Sequence, residues 1–111
     1  MTIYFAGSIR GGRDDRKIYA DIIALLRDYG TVVTEHVGDA DVLVAEVTAP
    51  SLGVGYEIVR SVEWGKRILC LYRPGNGHKL SGMIAGCDAL TVREYSRVDE
   101  LRAVFDEELR Q

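Results

Sequence analysis

Apolar residues along this chain keep two rhythms that take turns. Residues 3–6, 42–47 and 67–72 hold short, nearly continuous apolar runs, as strands do when helices cover both of their faces. Between the runs the period lengthens. From Asp14 onward, Ile18, Ile22, Leu25, Leu26 and Tyr29 recur at helical spacing, and Gly30 stands where a left-handed cap would close the helix. Residues 31–34 read as a second strand. A glycine-bearing turn at 51–55 leads into a helix expected to point Ile58, Val59 and Val62 inward and to end at Gly65. After a polar loop at 73–79 come a short helix at 80–85 and a fifth strand at 89–92. Ser96 is expected to cap the last helix, with Asp99 at its third position in a variant capping box. Val98, Leu101, Val104, Phe105 and Leu109 supply that helix's buried stripe.

Strands alternating with helices predict an α/β fold: a five-stranded parallel sheet wound on both sides, in a single domain spanning 1–111. One junction resists this. The second strand is read as ending near His36 and the third as beginning near Asp41, which leaves only residues 37–40 between them. A parallel crossover usually takes about a dozen residues. Either these strands form an antiparallel hairpin, or a segment is missing at the 37–40 junction; the second reading is preferred.

Composition narrows the function. Apolar residues at 47% and charged residues at 28% are ordinary globular usage, which discards a disordered chain. A net charge of −3 argues against a nucleic-acid polymer as partner, since such surfaces carry a basic stripe. Arg10, Arg13, Arg16 and Lys17 instead gather near one glycine-rich turn, which suits a small anion. Cys70 and Cys87 follow no disulfide or metal spacing, so a reducing cytoplasm is the expected location, with no metal and no cofactor. No window approaches the ~20 apolar residues that a membrane span needs, and the first residues lack a signal-peptide pattern. His78 is expected to be solvated, and Glu63, Lys66 and Arg67 to form a solvated rim. Tyr56 and Trp64 are assigned to core or subunit contacts.

Two turns carry candidate chemistry, both at the carboxyl ends of strands, where doubly wound sheets bind ligands. Gly7-Ser8-Ile9-Arg10-Gly11-Gly12-Arg13 follows the first strand. Its glycines let backbone amides approach an anion, while Ser8 and Arg10 add side-chain donors. Alone it is also compatible with a plain strand-to-helix turn, since it lacks the dinucleotide and P-loop spacings. Pro50-Ser51-Leu52-Gly53-Val54-Gly55-Tyr56-Glu57 follows the third strand. Ser51, the Gly53 amide and a helix terminus offer a phosphate seat. Glu57 is expected in the first helical turn, where many glutamates serve only the helix dipole at ~0.3–1 kcal/mol. Its place one turn beyond the phosphate seat favours a role facing a sugar.

These two turns, together with Tyr4-Phe5-Ala6, Thr34-Glu35-His36-Val37, Ala40-Asp41-Val42-Leu43-Val44-Ala45-Glu46-Val47-Thr48 and Lys66-Arg67-Ile68-Leu69-Cys70-Leu71, resemble the 2'-deoxynucleoside 5'-monophosphate N-hydrolases. Those enzymes are relatives of the nucleoside 2-deoxyribosyltransferases, and the resemblance runs from Ile3 to about Ile84. It implies a flavodoxin-like fold, a homodimer, and hydrolysis of a deoxynucleotide to free base and 2-deoxyribose 5-phosphate. By position it implies Glu57 as the nucleophile that forms a glycosyl-enzyme and Tyr4 as the residue that positions it. Ser8, Ile9, Arg10, Gly11 and Gly12, with Arg13 beside them, fall in the first ligand loop. Ser51 and Gly53 fall at the phosphate, as does Ser81 with Gly82 and Met83, supplied by the partner subunit. His36 falls near the base.

The chain departs from that family where a helix-bearing segment with an aspartate acid should follow Thr34-Glu35-His36-Val37. Either the protein carries this segment beyond the 111 residues and the acid has no number here, or the deletion is real. In the second case a nucleotide-binding or sensing module without turnover is the alternative. Asp39 and Asp41 are poor substitutes, Asp41 beginning a strand at the end away from the pocket. A deoxyribosyltransferase is a third reading, ranked lower because the serines near the pocket favour a phosphate.

Overall fold

The computed structural model describes residues 1–8, 13–75 and 77–110. Its elements are β1 (Thr2–Ala6), α1 (Arg13–Leu26), β2 (Thr31–Val33), β3 (Val42–Glu46), α2 (Leu52–Glu63), β4 (Arg67–Tyr72), α3 (Gly82–Ala85), β5 (Thr91–Glu94) and α4 (Leu101–Glu108). Short 3-10 turns at Val37–Asp39 and Val98–Glu100 precede β3 and α4. All neighbouring strands pair in parallel, in the order β2-β1-β3-β4-β5, which is the flavodoxin-like arrangement.

Alternating strand residues feed two cores. Ile3, Phe5, Val42 and Val44 face Ile22 and Leu26 of α1 and Leu101 and Phe105 of α4. Tyr4, Ala6, Leu43 and Ala45 face Val54 and Ile58 of α2. The apolar runs are therefore continuous because both faces are covered.

The β2–β3 connection is parallel and is made by the eight residues 34–41. It closes because β2 is short. Val33 lies level with Tyr4, and Val42 lies level with Ile3. The chain must step back by one residue and cross β1, a lateral path of roughly 10 Å, which eight residues at up to ~3.3 Å each can span. Lys66 Nζ donates to the carbonyl of Gly38 at 3.0 Å and to that of Ala40, and a Cβ on Gly38 would lie 3.5 Å from the Trp64 ring. Lys66 thus pins this connection, whereas the sequence suggested a solvated rim.

Other boundaries move for local reasons. Gly30 lacks the positive φ expected of a left-handed cap. It must be glycine because a Cβ there would sit 2.4 Å from the Met1 carbonyl oxygen. Gly65 does take the left-handed conformation, at φ 69°. The amides of Gly65 and Lys66 bond back to Val62 and Ser61 at 3.0 Å, a Schellman ending. Val59 is exposed rather than buried, and Ser61 takes the inward place, its hydroxyl donating to the Glu57 carbonyl at 2.8 Å. Residues 89 and 90 close a turn ahead of β5, with the Leu90 amide bonded to the Cys87 carbonyl. At the start of α4, Glu100 rather than Asp99 reaches back, accepting from the amides of Ser96 at 2.7 Å and Arg97 at 2.9 Å. No helix among the described residues is long and apolar enough to cross a membrane.

Candidate active site

The strand order reverses between β1 and β3, and the carboxyl ends of these strands open into a cavity of about 430 Å³. Gly7 and Ser8 line one side, and residues 50–54 with Glu57 line the other. A Cβ on Gly7 would come within 2.9 Å of the Tyr19 ring, so a side chain there would force the ring to move. Ser8, next to it, is buried. Ile9, Arg10, Gly11 and Gly12 lie outside the described residues; Arg13 opens α1.

On the opposite wall, Ser51 is the N-cap of α2, its hydroxyl oxygen accepting from the Val54 amide at 3.3 Å. No described residue crowds a Cβ at Gly53 closer than the Ser51 hydroxyl at 3.8 Å. Neither packing nor φ demands glycine there, and its effect is to leave the cavity open at the helix terminus. Because α2 begins at Leu52, Glu57 falls in the second turn, not the first. The helix-dipole role fades beyond the first turn. Something else holds this carboxylate: the buried Tyr4 hydroxyl donates to Glu57 Oε2 across the sheet–helix boundary.

Burial first, then the hydrogen bond and charge of Glu57, and then the charge of Glu35 push the Tyr4 hydroxyl well above its ordinary pKa. Tyr4 therefore stays a neutral donor at any physiological pH and fixes one oxygen of Glu57 beside the cavity. Tyr19 is raised to about 12, mainly by burial and then by the charges of Glu46 and Asp15. Burial also leads the rise of Tyr95 and lifts Cys70 to about 12. These groups hold their protons more tightly folded than unfolded. Their stabilisation is complete below the unfolded values of 9.0 for cysteine and 10.0 for tyrosine, and is lost as pH climbs toward the folded ones. The urea midpoint should hold steady to about pH 9 and fall progressively above it, as titration between pH 8 and 11 will read.

His36 is exposed, with a left-handed φ of 59°, and sits 4.0 Å from Glu35 without lining the cavity. Ser81 caps α3, accepting from the Met83 amide at 3.2 Å. Ser81, Gly82 and Met83 stand exposed and apart from the cavity lining of this protomer. Asp41 accepts from the Thr2 amide at 2.8 Å, at the amino ends of the strands. A second hollow of about 290 Å³ near Lys66, Thr91 and Glu108 is lined by none of the predicted site residues. Among the described residues, no three His, Cys, Asp or Glu side chains gather as a metal site would require.

Behind the cavity lies a group that the sequence did not reveal. Glu46, the last residue of β3, is fully buried and bonds to Thr48, Tyr95 and Arg73. The available signal was a carboxylate ending a strand that both faces cover, which cannot be left unpartnered.

A 5-hydroxymethyl-dUMP N-hydrolase of Tetraodon nigroviridis is 42% identical to this chain over 96% of each sequence. A human 5-hydroxymethyl-dUMP N-hydrolase is 50% identical over 77% of the chain and 64% of its own length. The chain belongs to the 2'-deoxynucleoside 5'-phosphate N-hydrolase family. No protein-family profile matches it. The structure of a Clostridium botulinum CMP N-glycosidase superposes with a TM-score of 0.75 over 96% of this chain and 98% of its own, at 18% identity, a likeness of fold. Membership of that family supports a hydrolase activity of the N-glycosidase type. The Tetraodon alignment spans 137 positions, whereas 96% of 111 residues is about 107, so about thirty positions of that relative have no counterpart here.

Proposed function

We propose that this chain hydrolyses the N-glycosidic bond of 2'-deoxynucleoside 5'-monophosphates, yielding free base and 2-deoxyribose 5-phosphate. The observation that carries the reading is the Tyr4–Glu57 pair on the wall of a cavity whose rim is two glycine-bearing turns. Its volume of about 430 Å³ falls within the ~300–1,000 Å³ of small-molecule sites. The α2 terminus and the Gly7–Ser8 amides hold the 5'-phosphate, and that remote binding energy orients the sugar. Glu57 then attacks the anomeric carbon as the base departs, and water cleaves the glycosyl-enzyme. A 2'-deoxy sugar suits this chemistry, because no 2'-hydroxyl withdraws electrons from the developing oxocarbenium ion.

The dimer belongs to the same proposal. Leu52 is 96% exposed, Tyr56 66% and Met83 85%, an apolar outer surface on α2 and α3 that fits a second copy supplying Ser81 to the phosphate. Free Cys70 and Cys87 fit a reducing, cytoplasmic location.

The test is incubation of the full-length protein with dGMP, the other deoxynucleotides and 5-hydroxymethyl-dUMP, following free base by chromatography. Release from monophosphates, and much slower release from the unphosphorylated deoxynucleosides, is the expected result. The positions without counterpart favour a second reading, a nucleotide-binding module that has lost its acid. Binding without any base release, in a chain whose intact mass is 12.3 kDa, would establish that reading and defeat the first.

A further inference from the structure

Burying a carboxylate in a covered strand is unfavourable unless every oxygen finds a partner. Glu46 meets that condition through groups from separate connections at the carboxyl edge of the sheet. Oε1 accepts from the Thr48 amide at 2.7 Å, on the way from β3 to α2. Oε2 accepts from the Tyr95 hydroxyl, just after β5, and lies 3.8 Å from the Arg73 guanidinium, just after β4. Arg73 in turn donates to Asp15 of α1 at 2.9 Å, and its amide donates to the Thr48 hydroxyl at 2.9 Å. Arg73 also reaches the Tyr95 hydroxyl at 3.4 Å, which accepts from it while donating to Glu46. Tyr19, one turn beyond Asp15, lies close enough to feel the charges of both Glu46 and Asp15, and its ring is what presses against Gly7.

None of these side chains lines the cavity, yet the chain ends they hold do. Thr48 leads directly into residues 50–54, and Tyr19 backs Gly7. We propose that Glu46, with Arg73 and Tyr95, is a positioning cluster that sets the separation of the two glycine-bearing turns and thereby the fit of the 5'-phosphate. The inference rests on the reading that these turns hold a phosphate. A buried, charge-assisted network is suited to the task, because its members have fixed bond lengths and directions where an apolar contact would let the turns slide.

Tyr95→Phe removes one hydroxyl and keeps the ring. Glu46→Gln keeps the shape and an oxygen for the Thr48 amide but removes the charge. Both should raise KM for dGMP and the dissociation constant for inorganic phosphate, measured by calorimetry, by about tenfold, with kcat near the wild-type value. Ile22→Val, in the same core layer and away from the cavity, is the control for lost stability and should leave both constants unchanged. Thermal midpoints are recorded for all three. If Tyr95→Phe lowers the midpoint while KM and phosphate affinity stay at wild type, the cluster is structural only and the inference is wrong. The phosphate titration needs no turnover. Absence of base release from every deoxynucleotide would therefore defeat the hydrolase reading while the titration still decides this one.

Discussion

Replacing Glu57 by glutamine is expected to lower base release by roughly 10⁴-fold or more, with dGMP binding retained. The amide has the outline of the carboxylate, and its oxygen still accepts from the Tyr4 hydroxyl, so the cavity wall keeps its geometry. What disappears is the proposed nucleophile. Stability should change little, since Glu57 lies in the second turn of α2 and forms no cap. The measurement is single-turnover release of base at saturating dGMP, together with the thermal midpoint and the dissociation constant. Turnover near that of the wild type would take Glu57 out of the chemistry. A collapse of binding alongside turnover would make it a wall of the pocket instead.

The second large effect concerns the fold. Phe105 is fully buried between α4 and the sheet and meets Tyr29 edge-on, with ring centroids 5.7 Å apart. Phe105→Ala should cost about 3–5 kcal/mol, a large share of the roughly 5–15 kcal/mol that holds a domain of this size together. Urea denaturation will read it as a lower midpoint with the same slope. At temperatures where the variant remains folded, KM should match the wild type, because α4 lines no part of the cavity. An unchanged midpoint would mean that α4 does not close this core layer.

Phe105 also illustrates what was legible beforehand. Its place in the stripe with Leu101, Val104 and Leu109 followed from spacing, and all four are buried. Run length likewise marks β1, β3 and β4 to within about a residue and puts two glycine-bearing turns at one edge of a parallel sheet. Val59 departs from its pattern: it shares the apolar character of its neighbours but points outward. Gly30 stands where a cap would, but close approach to the Met1 carbonyl is what excludes a side chain. Of the candidate site, Ser8, Ser51, Gly53 and Glu57 converge on one cavity, with Tyr4 bonded to Glu57 behind it. His36 and the Ser81 region stand apart from it within one protomer.

Local spacing was enough for the identity of most elements and for the face most of their residues present, because period and run length are properties of neighbouring residues. It was also enough for the choice of turns, since glycines and caps act within a few positions. Three matters needed the folded chain. A short β2 makes the parallel β2–β3 connection possible through the registers of Val33 and Val42 against β1. The Tyr4–Glu57 bond joins residues 53 positions apart. Glu46 finds its partners on separate strands and connections. In each case the deciding quantity is a distance between segments remote along the chain, and no local pattern encodes how long-range contacts will be satisfied.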